Sequence, residues 1–213
     1  MKEAITHARR LYRVCVVAAL IVLLPCASAS AEDRLVDITT LAPSIKVDLR
    51  YATKNNVVGR VMYARGQCFL REPVAKKLAA VQSMLREEHL GLLVWDCYRP
   101  RAVQAQLWVI APDRHYVADP KRGSRHNRGA AVDLTLVDAD GHALRMPTAF
   151  DDLSESAHRD ATTTPEAAKN RARLRTAMEK AGFVPLTTEW WHFDDAQWRE
   201  YPLTDVALES LAP

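Results

Sequence analysis

Cysteine is scarce. Four occur in 213 residues, at positions 15, 26, 68 and 97, and no two stand in a Cys-x-x-Cys spacing, so a thiolate zinc knuckle is excluded. The His-Glu-x-x-His motif of helical zinc proteases is also missing. No apolar run reaches the roughly 20 residues that a comfortable membrane-spanning helix needs. Internal repeats, low-complexity tracts and long linkers are absent, which points to one folded unit. The formal charge of +3 is not a nucleic-acid signature, because its excess sits in the first residues. Removing residues 1–31 takes four basic residues and one acidic one and leaves the two signs equal in number.

That first segment has the three parts of an export signal. Lys2, Arg9, Arg10 and Arg13 form a basic start, Val14 to Leu24 is apolar, and Ala29-Ser30-Ala31 offers small residues for cleavage. The expectation is a signal peptide over 1–31, a domain over 32–213, and a periplasmic or secreted product with no stable membrane insertion. An uncleaved anchor is the alternative. Lipidation at Cys26 is disfavoured by Pro25 directly before it. A domain of this size builds a core without disulfides. Cys68 and Cys97 are therefore expected as two separate buried thiols, although an oxidising compartment permits a pair.

Periodicity divides the domain. Ile45, Val47, Leu49 and Tyr51 alternate with polar residues and predict a strand. Pro73 opens a helix whose Val74, Leu78, Val81 and Leu85 share a face, and Gly91 is expected to end it. Leu92 to Trp95 predicts a buried strand, and Arg101 to Val109 a helix. A loop rich in Pro, Lys, Arg and Gly follows over 111–123. Ala131 to Val137 predicts a strand with Val132, Leu134 and Leu136 on one face and Asp133 and Thr135 on the other. Asp138 to Gly141 is a turn. Met146 to Thr164 has no period, and a loop of that length is functional or disordered. Thr164-Pro165 starts a helix that Gly182 closes. A last strand covers Phe183 to Pro185 and resumes near Trp190. Helices and strands mix without βαβ alternation, so the class is α+β.

Certain polar residues sit where apolar ones cost less. Asp133 lies on a strand whose other face is apolar, and burying it requires a partner or a metal. His126 precedes it by seven residues, with Gly129 between. Glu189-Trp190-Trp191-His192 forms a second cluster. Zinc takes imidazole and carboxylate donors, and catalytic sites use three protein ligands and keep a fourth position open. His126, Asp133 and His192 supply that set, and Glu189 is then a general base that later serves as acid. The alternative is a buried His126–Asp133 hydrogen bond with Glu189 and His192 as a surface pair. Arg99 reads equally as an oxyanion partner or a structural ion pair. Trp190 and Trp191 divide between core and cleft, and Arg125 and Arg128 read as solvated surface charges.

Ser124-Arg125-His126-Asn127-Arg128-Gly129-Ala130-Ala131-Val132-Asp133 and Glu189-Trp190-Trp191-His192 resemble the signature of the D-alanyl-D-alanine dipeptidase family, which includes the vancomycin-resistance dipeptidases. The pattern is Ser-x-His-x-x-Gly-x-Ala-x-Asp followed by Glu-x-x-His. The likeness extends through Asp133-Leu134-Thr135-Leu136, Trp95 to Pro100, and Tyr51 to Gly59, departing at Val57 where Phe is usual. The resemblance implies a Hedgehog/D-Ala-D-Ala metallopeptidase-like fold, a central antiparallel sheet carrying the zinc site between flanking helices. It implies one zinc per chain on His126, Asp133 and His192, Glu189 as catalytic acid/base, and Arg99 beside the oxyanion. It also implies Asp151 at the substrate's free amine, with Tyr51 lining that end, and Ser124 near the substrate.

The substrate so implied is D-alanyl-D-alanine, cleaved to two D-alanines in wall-precursor turnover or glycopeptide resistance. A carboxylate that demands an ammonium rejects longer peptides, whose amide nitrogen there is neutral. Two other readings stand beside it: a D,D-carboxypeptidase that trims peptidoglycan stems, and a zinc-containing wall-binding protein without activity. The second has little use for Glu189. The sequence names no oligomeric state and no group for the substrate carboxylate.

Overall fold

The computed structural model describes residues 34–110 and 116–211. The leader, Cys26 and part of the 111–123 loop lie outside them. Chain order is β1 (Leu35–Asp37), α1 (Ile38–Leu41), β2 (Lys46–Val47), β3 (Phe69–Arg71), α2 (Glu72–Arg86), β4 (Gly91–Asp96), α3 (Arg101–Ile110), β5 (Ala131–Val137), α4 (Pro165–Lys180), β6 (Phe183–Pro185) and β7 (His192–Asp195). The class is α+β. One sheet runs β2-β4-β5-β7-β6, and β1 pairs with β3 beside it. The large sheet is antiparallel from β4 to β6, but β2 joins β4 in parallel, so the central sheet is mixed at one edge.

Local chemistry explains most element ends. Pro73 lies in the first turn of α2, where a missing N–H costs nothing. Thr164 caps α4 by accepting from the Ala167 N–H. Gly91 does not stop α2 as expected. The helix ends at Arg86, His89 takes a left-handed φ of 57°, and the Leu90 N–H returns to the Leu85 carbonyl at 3.0 Å, a Schellman-type closure. Gly91 instead begins β4. The strand expected over Ile45–Tyr51 is also shorter. It ends at Val47, and Arg50–Ala52 forms a 3₁₀ turn that buries Tyr51.

The sheet has two characters. Cross-strand partners share a face, and the register pairs Leu92 with Leu136, Val94 with Leu134, and Val132 with Phe193. That apolar face is fully buried. Helices α2 and α4 pack against each other and against this sheet, and Lys77 of α2 reaches Asp195 at 2.7 Å. The opposite face carries Asp133, His192 and Asp194.

Cys68 and Cys97 form a disulfide with Cα atoms 5.5 Å apart, correcting the expectation of separate thiols. The ends of β3 and β4 run side by side, and the Tyr98 N–H donates to the Phe69 carbonyl at 3.0 Å. Proximity here follows from tertiary pairing and leaves no trace in spacing.

Candidate metal centre and active site

The site begins with a bulge. Between Val94 and Asp96 the β4–β5 register shifts, so that two residues of β4 oppose one of β5 and Asp96 pairs with Asp133. Side chains alternate along a strand, so without the extra residue Asp96 would share the helix-packed face with Leu92 and Val94. The bulge turns it to the polar face. Asp133 pairs in turn with His192, which gives a row of three polar side chains across β4, β5 and β7. His126 enters from a 3₁₀ turn, and Gly129 (φ 67°) lets the chain double back toward β5. That left-handed φ favours glycine, and a Cβ there would also press the Leu35 side-chain tip at 2.5 Å and the Arg71 backbone nitrogen at 3.3 Å.

Asp133 Oδ1 lies 2.9 Å from His192 Nδ1, Asp133 Oδ2 3.4 Å from His126 Nε2, and the two imidazole nitrogens 3.2 Å apart. An ideal tetrahedral zinc with bonds of about 2.0–2.1 Å separates its ligand atoms by about 3.3 Å. The remaining ring nitrogens are spoken for. His126 Nδ1 is 2.7 Å from the Cys97 carbonyl and His192 Nε2 is 2.9 Å from Asp194 Oδ1. Both acceptors demand an N–H, which turns the lone pairs of His126 Nε2 and His192 Nδ1 inward. Burial opposes charge on His192, yet Asp133 and Asp194 outweigh it and raise its pKa well above the usual imidazole value. Burial likewise opposes charge on Asp133, and the two histidines reverse that and hold it low. Inward lone pairs, a carboxylate kept ionised and a local preference for positive charge suit a divalent cation.

All eight residues singled out in the sequence line one cavity of about 180 Å³. Glu189 is half-buried, with its side chain 12% exposed, and its Oε2 lies 3.8 Å from His192 Nδ1; it is not a surface partner. Burial, with Asp133 nearby, raises its pKa to about 7. Arg99 is held from three sides. Its Nη2 and Nε donate to Asp96 Oδ2 at 2.5 and 3.2 Å, its Nη1 donates to Gln104 at 2.9 Å, and it stacks over Tyr51 at 5.2 Å. Burial would lower its pKa, but Asp96, Tyr63 and Tyr51 push it up. The structural ion pair of Arg99 is present, and it fixes a guanidinium that also lines the cavity.

The long polar loop is ordered and delivers Asp151. Phe150 wedges between Tyr51, Trp95 and Trp191, and Asp151 then takes a left-handed φ of 60°. Such strain in a non-glycine residue gathers at functional sites. Its Oδ2 accepts from the Tyr51 hydroxyl at 3.1 Å and from the Val57 N–H at 3.4 Å. Burial, with the Asp133 charge adding to it, raises Asp151 to about 7. Ser124 Oγ accepts the His126 N–H at 3.2 Å. Trp191 lines the cavity, while the Trp190 indole donates to Thr148 at 2.9 Å away from it.

Sequence reasoning missed several supports. Asp194 is two residues beyond His192 on the same strand face, a spacing that could have pointed to it. The Cys97 carbonyl is backbone and carries no residue signal. Arg159 clamps the chain beside Glu189, donating to the carbonyls of Leu186 and His192 at 2.6 and 2.7 Å. Arg125 and Arg128 are not simply solvated. Both stack on Trp198, and Arg128 donates to the Tyr201 carbonyl.

The family described as D-ala-D-ala dipeptidase matches the chain over residues 31–208. The chain belongs to that family. Among relatives, the D-alanyl-D-alanine dipeptidase of Escherichia coli K12 is 39% identical over 82% of this chain and 91% of its own length. Its namesake from Enterococcus faecium is 32% identical over 70% and 85%. A mutant of a vancomycin-resistance D,D-pentapeptidase, solved with Zn(II), aligns with 62% of this chain and 75% of its own at a TM-score of 0.41 and 18% identity. Membership makes the chain a metallopeptidase, and the His126–Asp133–His192 group is the buried donor set that suits a metal among the described residues.

Proposed function

We propose that this metallopeptidase hydrolyses free D-alanyl-D-alanine to two D-alanines with one zinc per chain. His126 Nε2, Asp133 and His192 Nδ1 hold the ion. When bound, zinc polarises the scissile carbonyl and lowers the pKa of water to about 7. Glu189 takes the proton from the attacking water and passes it to the departing amide nitrogen, so that water is added across the C–N bond. Burial pushes the Glu189 carboxyl upward in the metal-free protein, and a carboxyl raised in this way is suited to accept and return a proton. Arg99 presents donors to the carbonyl oxygen as charge develops there, and its own bonds to Asp96 and Gln104 spare it reorganisation in the step. Asp151, steadied by Tyr51, pairs with the substrate ammonium. Ser124 contacts the substrate beside His126.

The observation that carries this reading is the joint lining of one small cavity by Glu189 and Asp151. Its volume, about 180 Å³, is below the roughly 300–1,000 Å³ of pockets for drug-sized ligands. Size and a carboxylate terminus both favour a free dipeptide over a peptidoglycan stem. The same proposal places the protein outside the cytoplasm, acting on wall precursors in turnover or glycopeptide resistance. The signal-like segment before residue 32 and the Cys68–Cys97 bridge support export.

The test is D-alanine release by zinc-loaded protein from D-Ala-D-Ala and from its N-acetyl derivative. The free dipeptide is expected to be cleaved and the acylated one spared. Equal cleavage of both moves the assignment to a D,D-carboxypeptidase, and release from neither removes it.

A further inference from the structure

The catalytic cavity has two unlike ends. At one, Val57 and Asp151 are shared with a neighbouring groove; at the other, Ala118, Ser124 and Arg125 are shared with a second groove. The two grooves have no lining residue in common. Asp151 and Arg125 therefore stand at two different openings of one small chamber whose lining also includes His126, Asp133 and His192.

The Arg125 end is built for an anion. Arg122 and Arg128 line the groove that opens there, with Asp119 as its acid, and the Asp119 carboxylate is engaged by the Lys121 N–H at 2.9 Å. The Arg125 guanidinium lies over the Trp198 ring at 4.9 Å, and Trp198 lines the same groove. The nearest carboxylate to Arg125 is Asp194 at 3.5 Å. The atom that faces it is the buried Nε, against Asp194 Oδ2, while His192 takes Oδ1. The side chain is otherwise 42% exposed, and its terminal nitrogens donate to no described residue, so they are left to meet an anion where the cavity ends. Ser124, adjacent in sequence, uses its Oγ as an acceptor for the His126 N–H and keeps its O–H to donate.

We propose that Arg125 is a specificity-determining residue that binds the free C-terminal carboxylate of the substrate, with the Ser124 hydroxyl beside it. The inference rests on the dipeptidase reading and completes it. A zwitterion lies with its ammonium on Asp151, its carboxylate on Arg125, and its single peptide bond between them, over the metal donors. Each end excludes extension: an added residue at the amine end removes the ammonium, and one at the other end replaces the carboxylate by a neutral amide. Arginine suits the second task because its planar fork matches a carboxylate with two parallel bonds.

A structural role through Asp194 is the competing explanation, since Arg125 also leans on the acceptor that orients His192. The two differ in what they do to a substrate without a carboxylate. The experiment compares kcat and KM for D-Ala-D-Ala and its C-terminal amide, with wild type, Arg125→Ala and Arg125→Lys. Zinc content is measured on each protein as a check on the site. Wild type is expected to favour the acid by at least about tenfold in kcat/KM, the scale of one hydrogen bond to a charged group. Arg125→Ala is expected to raise KM for the acid by a similar factor and bring the acid-to-amide ratio toward one, with zinc content retained. Arg125→Lys, which keeps charge but not the fork, should fall between. A ratio unchanged in Arg125→Ala, or equal losses on both substrates with reduced zinc, overturns the proposal in favour of positioning through Asp194. If wild type cleaves neither substrate, the dipeptidase reading itself fails and the inference with it.

Discussion

Asp194 and His192 stand two residues apart on one face of β7, and Asp194 Oδ1 meets His192 Nε2 at 2.9 Å. The contact decides which nitrogen of His192 turns to the cavity. Replacing Asp194 by alanine is expected to weaken zinc binding about 10- to 100-fold, the usual effect of losing such an outer partner. Competition with a fluorescent chelator measures it. Unchanged affinity would remove Asp194 from the account of the site.

Glu189→Gln keeps shape and loses proton transfer. Zinc content should match wild type, and kcat on D-Ala-D-Ala should fall by about 10²–10⁴ with a smaller change in KM. Steady-state kinetics beside metal analysis checks both halves. Full activity would show that Glu189 moves no proton.

Ionised Asp151 is expected to cost the folded chain stability. Its folded-state pKa of about 7 lies above the unfolded value near 3.9, so the folded chain holds that proton more tightly. The stability tied to the protonated form is complete below about pH 4 and is lost as pH rises through about 7. Asparagine cannot ionise and tolerates the left-handed backbone. Asp151→Asn is therefore expected to be more stable than wild type at pH 7.5, by on the order of 2–4 kcal/mol, with the advantage gone near pH 4. The same variant should show a raised KM, because the ammonium loses its partner. Thermal melts across pH, paired with kinetics, test the trade.

The Cys68–Cys97 bridge closes a loop across a sequence separation of 29. Its removal by Cys68→Ser should cost about 3–4 kcal/mol, read by urea titration. Because Cys97 also offers its carbonyl to His126 Nδ1, the zinc affinity of this variant should fall as well. A variant with wild-type stability would show the bridge to be dispensable.

Much of the site was legible because metal chemistry is restrictive. Few residue types bind zinc, and Asp133 on a strand with apolar alternation had no inexpensive explanation. The apolar face of Val132, Leu134 and Leu136 followed from a period of two. The bulge at Trp95 did not, since one inserted residue has no compositional mark, yet it turns Asp96 to the face where Arg99 meets it. Tyr51 looked like the end of a strand because it alternates, whereas the fold needs it turned inward to reach Asp151. Cys68 and Cys97 met through the adjacent ends of β3 and β4, which is a tertiary event. Arg125 read as a surface charge because its partners, Trp198 and Asp194, lie about 70 residues away in the chain and arrive only on folding.

The most direct measurement is an anomalous difference map collected at the zinc absorption edge on crystals of the purified protein. The account predicts one peak per chain, within bonding distance of His126 Nε2, an Asp133 oxygen and His192 Nδ1, with Glu189 close by but not bonded. A map with no peak among those three groups, or with the ion held elsewhere, contradicts it.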